Sequence, residues 1–288
     1  MCCSILLGDV LDKKASDGHS QNECLSRVMA IIKASGHAWH FALGNHDYCC
    51  FSRELIYEKY FADMHREKED DICARCNPHN LFYSFTPFAG FRFIMLDGYD
   101  VSTLGPSNPA HDELAWDIIR TGNPNFRSDP VGDWFLDLTK DRLKYVPFKS
   151  AIGGKQKDWL KTELDAALLH GEACIVFCHI PCDPNTFDKA CLLWNNDEIL
   201  DILHSNTAAV AYIAGHDHEG SYTQDECGLH HLVLPSPLEC AEGEVSFGHV
   251  EVHKGHMNLV WTGKTGRTSA GQPWPSRMAF ERVTKPPA

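Results

Sequence analysis

An α/β fold of two sheets packed face to face, with helices outside, is predicted for this 288-residue chain. Short apolar runs alternate with helical periodicities through most of the sequence, and a succession of strands closes it; such elements bury their apolar faces on one another in layers. Apolar residues make up 43% of the chain, enough for one large core. Several apolar runs also end in turns rich in Gly, Asp, Asn and His, the pattern expected where an α/β sheet presents its ligand crevice.

The first strand is Ile5-Leu6-Leu7, which runs into Gly8-Asp9. Residues 22–34 carry Leu25, Val28, Met29, Ile31 and Ile32 at helical spacing, so a helix connects it to a second strand over 40–43, which meets Gly44-Asn45-His46-Asp47. Residues 51–61 read as a helix and 67–80 as a charged excursion. Segments 81–85 and 91–96 flank Pro87 and Gly90 as a hairpin. From 102 to 154 the chain is rich in Pro, Gly, Asn and Asp, with short helical pieces around 113–119; so long an insertion is usually functional or disordered. Residues 155–170 form an amphipathic helix on Trp159, Leu160, Leu164, Ala167 and Leu168. A strand over 173–178 then ends at His179, a helix covers 197–204, and a strand over 210–214 ends at Gly215-His216-Asp217-His218. Segments 230–234, 248–252 and 257–262 read as antiparallel strands. Residues 1–265 thus make one domain, with 266–288 as a polar, Pro-rich tail.

The formal charge of −13 argues against nucleic acid or an anionic membrane as partner. A small anionic substrate stays compatible, because bound dications reverse the local field. No stretch approaches the roughly 20 apolar residues of a membrane helix. The opening Met-Cys-Cys-Ser-Ile-Leu-Leu lacks the basic leader of a secretory signal, and Cys2 stands where myristoylation needs glycine. Thirteen cysteines, an odd number in irregular positions, read as free thiols of a reducing compartment. Cys73-x-x-Cys76 with His79 is half a zinc pattern without a second pair. The expectation is a soluble, cytoplasmic, monomeric protein.

Asp and His at strand ends, with one Asn amide oxygen, make a mixed oxygen and nitrogen set. It suits Mn²⁺, Fe or Zn²⁺ better than Mg²⁺ or Ca²⁺. Asp9 is the carboxylate placed to bridge two ions about 3.5–4 Å apart. Asn45 would be a neutral ligand, leaving His46 to face a substrate with Asp47 orienting it. Asp12 is expected behind the ligands or as a helix N-cap. Arg53 is a candidate phosphate partner, Trp194 and Asn195 candidates for a nucleobase, and Tyr99 and Asp100 further substrate contacts.

This series resembles the calcineurin-like metallophosphoesterase superfamily, with its signature Asp-x-His … Gly-Asp-x-x-Asp … Gly-Asn-His-(Asp/Glu) … His … Gly-His-x-His. Gly8-Asp9-Val10-Leu11-Asp12, residues 44–47, His179 and residues 215–218 supply the last four blocks. Phe51-Ser52-Arg53, Leu96-Asp97-Gly98-Tyr99-Asp100, Gly153-Gly154, Leu193-Trp194-Asn195, Gly228-Leu229-His230-His231 and Phe247-Gly248 carry a narrower likeness. They resemble the manganese-dependent ADP-ribose/CDP-alcohol diphosphatases.

The resemblance implies a four-layer αββα sandwich and two Mn²⁺ ions, with Mg²⁺, Fe or Zn²⁺ as substitutes. Asp9 would bridge them, Asn45, His179 and His216 would hold one, and His218 would belong to the other. His46 would stabilise or protonate the leaving-group oxygen. The implied reaction cleaves the pyrophosphate of nucleoside diphosphate derivatives, ADP-ribose giving AMP and ribose 5-phosphate. The first block, Asp-x-His (Asp-x-Gln in the narrower family), has no counterpart here. The expectation is therefore a sandwich lacking its first strand, a second ion held only by Asp9 and His218, and impaired activity. A phosphomonoesterase or cyclic-nucleotide phosphodiesterase, and a non-catalytic nucleotide-binding protein, are the alternatives.

Overall fold

Strand β1 (Cys3–Leu6) runs parallel to β2 (Ala38–Phe41), paired from Cys3–Ala38 to Leu6–Phe41, with α1 (Gln21–Ala34) as the crossover. The computed structural model describes residues 3–12, 20–61, 76–126, 133–185, 189–268, 270–275 and 277–281. Helix α1 starts in a capping box: Ser20 accepts from the Glu23 N–H, and the Glu23 carboxylate accepts from the Ser20 N–H. Its buried Leu25, Met29 and Ile32 share one face.

The helix expected over 51–61 is subdivided. Helix α2 (Asn45–Cys50) ends as the Phe51 N–H bonds the Asp47 carbonyl. Ser52 then caps α3 (Arg53–Ile56), and a π-helical turn, Tyr57–Phe61, follows. The hairpin forms as β3 (Tyr83–Phe88) and β4 (Phe91–Met95), with an irregular register between Phe85 and Phe88. Pro87 has no N–H to give there. The 67–80 excursion falls mostly outside the described residues, as does Cys73; Cys76 is buried with Sγ 3.8 Å from the Phe82 carbonyl oxygen.

The insertion is more ordered than its composition predicts. It contains β5 (Val101–Ser102), paired with β6 (Ser150–Ala151), and the fourteen-residue α4 (Pro109–Gly122). The start signals of α4 are standard: Asn108 accepts from the His111 N–H, and proline occupies the first turn. Val101, Ala115, Ile119, Phe126, Ala151 and Trp194 give the insertion a small core of its own.

Then come α5 (Gly154–His170), β7 (Ala173–Phe177), α6 (Asn196–His204), β8 (Ala209–Ala214), β9 (Ser221–Gln224) and β10 (His230–Val233). After them lie β11 (Ser246–His253), β12 (His256–Gly263), β13 (Arg267–Thr268) and β14 (Arg277–Glu281). The fold is mixed α/β around a seven-stranded sheet in the order β13-β9-β10-β8-β7-β4-β3. Strands β4, β7, β8 and β10 are mutually parallel. A second sheet, β11-β12-β14, packs into the same core through Met257, Leu259, Met278 and Phe280. Helix α5 buries Leu160, Leu164 and Ala167 in that core too. No described helix is long and apolar enough to cross a membrane.

The polar tail expected after residue 265 is corrected: β13 joins the edge of the large sheet, and β14 pairs with β12. Polar composition hid a period of two, in which Met278 and Phe280 are buried while Arg277 and Ala279 face out. The Phe280 ring rests edge-on against His230 at 5.1 Å.

Arg53 is a structural clamp, not a phosphate partner. It is 5% exposed. Its guanidinium donates to Asp97 at 2.8 Å and to the carbonyls of Gly105 (2.6 Å), Tyr99 (3.0 Å) and Pro78 (3.2 Å). Burial opposes its charge, but the Asp97 carboxylate overcomes this and raises its pKa. Asp97 also accepts from the Tyr48 hydroxyl at 2.9 Å, and Gln156 bonds its backbone N–H and carbonyl. The network ties α2 and α3 to the end of β4, the insertion and α5. Arg53→Ala leaves Asp97 buried without its cation, and urea unfolding should show a loss of about 3–5 kcal/mol.

Candidate metal centre

Two turns are held back to back by one buried carboxylate. The Oδ2 of Asp47 accepts from the N–H groups of Asp9 and Gly44, both at 2.9 Å. Its Oδ1 accepts from the Val10 N–H at 3.2 Å and the Tyr60 hydroxyl at 3.0 Å. Burial, and then the neighbouring Asp9 charge, push the Asp47 carboxyl up to about 6. The turns approach so closely that a Cβ on Gly8 (φ +92°) would lie 2.6 Å from the Gly44 nitrogen, and one on Gly44 would collide with the Asp9 carboxylate. Asp9 and His216 are themselves left-handed, at φ 53° and 71°, a strained conformation for residues with side chains.

The role expected for Asp47 is therefore corrected. It holds the turns and does not orient His46, because consecutive residues of a helical turn do not face each other. The nearer carboxylate to His46 is Asp12, with Oδ1 3.7 Å from Nδ1 and both side chains about one third exposed. The His46 backbone N–H donates to Asp9 Oδ1 at 2.9 Å, aiming that carboxylate.

Strands β1, β2, β7 and β8 deliver four side chains to one place. His179 Nε2 lies 3.2 Å from Asn45 Oδ1, 3.1 Å from His216 Nδ1 and 3.4 Å from Asp9 Oδ2, and His216 Nδ1 lies 3.0 Å from Asn45 Oδ1. His179 Nδ1 donates to the Leu7 carbonyl at 2.6 Å, so its Nε2 lone pair faces the cluster. Burial, then the charge of Lys149, holds the His216 imidazole well below its ordinary pKa and thus neutral. Ligands about 2.0–2.2 Å from one ion stand about 3–3.5 Å apart, so these four donors fit a dication.

His218 is not gathered into this set. Its Nδ1 lies 2.9 Å from Glu239 Oε1, both half-exposed, although its charge still weighs on His216. Tyr99 does border the cluster, its hydroxyl 3.4 Å from Asn45 Oδ1 and donating to the Phe148 carbonyl at 3.0 Å.

The other expected substrate contacts serve the scaffold. Asp100 is buried, accepting from Ser107 (2.6 Å) and the Gly153 N–H (3.0 Å), with His111 Nδ1 at 3.0 Å. Asn195 bonds both backbone groups of Ile152, at 2.9 and 3.1 Å. Trp194 is 3% exposed in the small core of the insertion. No residue pattern marks Lys149, which the insertion brings, 2% exposed, against His216 Nε2. Nor does one mark Tyr60, or Glu239 opposite His218.

Known proteins resemble this chain in sequence and in fold. The family model described as Calcineurin-like phosphoesterase matches residues 3–220. A rice protein named manganese-dependent ADP-ribose/CDP-alcohol diphosphatase is 34% identical, over 92% of this chain and 78% of its own. Proteins of that name from Arabidopsis thaliana and mouse are each 31% identical, over 92% and 91% of this chain and 80% and 76% of theirs. The crystal structure of a dimetal phosphatase from Danio rerio superposes with a TM-score of 0.79 at 25% identity, covering 98% of this chain and 84% of its own. Metal-dependent phosphoester hydrolysis goes with this fold and these relatives, and the chain belongs to the calcineurin-like phosphoesterase family.

Proposed function

We propose that this protein cleaves the pyrophosphate bond of nucleoside diphosphate derivatives, ADP-ribose and CDP-alcohols among them, with Mn²⁺ as its ion. The observation that carries the reading is the convergence of Asp9, Asn45, His179 and His216 within about 3 Å steps; the names and coverage of the relatives supply the substrate class. Asn45, His179 and His216 would hold one ion, and Asp9 would reach toward a second on the side of His218. When bound, such ions neutralise charge on the phosphoryl oxygens and lower the pKa of water.

The protein's own groups do the rest. The Leu7 carbonyl fixes the tautomer of His179, and Asp47 keeps both ligand turns at the required separation. His46, about one third exposed and beside Asp12, would give a proton to the leaving-group oxygen, and its exposure beside a carboxylate supports that role. Tyr99 and the Phe148 carbonyl wall the cluster on the side of the insertion.

In a panel of ADP-ribose, CDP-choline, cyclic AMP and p-nitrophenyl phosphate, the first two should be turned over fastest with Mn²⁺, and chelator should abolish the reaction until Mn²⁺ is returned. Preference for p-nitrophenyl phosphate or cyclic AMP would defeat the substrate assignment. Asp47→Asn should weaken Mn²⁺ affinity by about 10–100-fold, read by titrating activity against the metal. His46→Ala should lower kcat on ADP-ribose by about 10²-fold or more while Mn²⁺ binding is retained, which separates proton delivery from metal holding.

A further inference from the structure

A second group of side chains lies on elements that give nothing to the centre above. Helix α6 ends at His204, the β9–β10 connection carries Asp225, and β10 carries His231. His204 Nε2 and His231 Nε2 lie 2.7 and 2.9 Å from the same oxygen, Asp225 Oδ2. All three donor atoms fall within 4.8 Å of one another. A second carboxylate, Asp183, reaches within 4.0 Å of His231 Nε2.

The set is rigid on one side and open on the other. Asp225 Oδ1 accepts from the N–H groups of Cys227 and Leu229, at 2.9 and 3.0 Å, which points Oδ2 at the imidazoles. The side chains of His231 and Asp183 are 3% and 4% exposed, whereas that of His204 is 32% exposed. His204 also stands in the wall of a cavity of about 420 Å³, with Gln224, Cys227 and His230. The pattern is a buried half with a solvent-facing mouth.

We propose that His204, Asp225 and His231 form a second metal site, one that takes Zn²⁺, with Asp183 or a water from the cavity completing the sphere. Two imidazoles and a carboxylate suit a borderline cation and are a poor match for Ca²⁺ or Mg²⁺. With bonds of 2.0–2.1 Å, tetrahedral ligands stand about 3.3 Å apart; the spacings of 2.7, 2.9 and 4.0 Å bracket that value. Hydrogen bonding alone accounts for two imidazoles on one carboxylate. Asp183 Oδ1 accepts from the Asn185 N–H and side-chain amide at 2.9 and 3.1 Å, while Oδ2 brings a second, nearly buried negative charge to the same ring, and a dication would offset both charges. The ion would pin the end of α6 to the β9–β10 hairpin, so binding should raise thermal stability.

Chelator-stripped full-length protein should be equilibrated with Zn²⁺, desalted and analysed for zinc per chain, beside His204→Ala and Asp225→Asn. Wild type should retain one more zinc than either variant and gain in Tm on adding Zn²⁺, with both differences absent from the variants. His204→Ala should keep the Mn²⁺-dependent hydrolysis of the wild type. Asp225→Asn preserves the shape of the turn, so it guards against a loss caused by misfolding. Co²⁺ should give wild type the visible absorption of a four-coordinate site, missing in both variants. Equal zinc content in all three proteins would overturn the proposal, as would a Co²⁺ spectrum unchanged by either substitution. The zinc count is read without any substrate, so it stands or falls separately from the diphosphatase assignment.

Discussion

One carboxylate, that of Asp47, decides whether this protein has a centre at all. It sits where water cannot reach and receives three backbone N–H groups and a phenol. A buried carboxylate is tolerable only when its lone pairs are satisfied, and the three N–H donors come from the two turns that must lie side by side. The desolvation penalty is thereby converted into positional order. Asp9 and Asn45 inherit their positions from it, and the strain in the left-handed backbone of Asp9 is held in place by the same bonds.

The rest of the molecule can be understood as support around that arrangement. Parallel strands β7 and β8 end beside each other, and the Gly215 N–H bonds the His179 carbonyl, so the two imidazoles arrive together. The Arg53–Asp97 pair stands behind, at the junction of the helices after β2, the end of β4 and the insertion. The insertion in turn carries Lys149 and the Phe148 carbonyl to the rim. Each layer uses buried polar bonds to place the next.

What could be read from the sequence follows the range of the interactions concerned. The ligand turns were legible because glycine, Asp and Asn at strand ends act within a few residues, and because β7, β8 and α5 have clear apolar periods. The fates of Arg53, Asp100 and Asn195 were not, since their partners are far along the chain: Asp97 for Arg53, Gly153 for Asp100, Ile152 for Asn195. Each has the chemistry of a substrate contact, and only burial shows that its bonding capacity is already spent. Strand β14 was missed because two buried residues in a polar stretch are a faint signal, and β9 because Ser221-Tyr222-Thr223-Gln224 has none. Helix α4 carried its cap and its proline in plain view, and was obscured by the turn-forming residues around it.

The late position of β13 and β14 in the chain has a consequence for biogenesis. The seven-stranded and three-stranded sheets each receive a strand that is made after the ligand-bearing elements: β13 beside β9, β14 beside β12. Until residues 267–281 emerge from the ribosome, those backbone edges have nothing to pair with, and the surface that Phe280 will cover stays wet. Unpaired edges and uncovered apolar faces are what nascent chains aggregate through. The elements that bear Asp9, Asn45, His179 and His216 are synthesised before these strands, so the two sheets are completed only once residues 267–281 have left the exit tunnel.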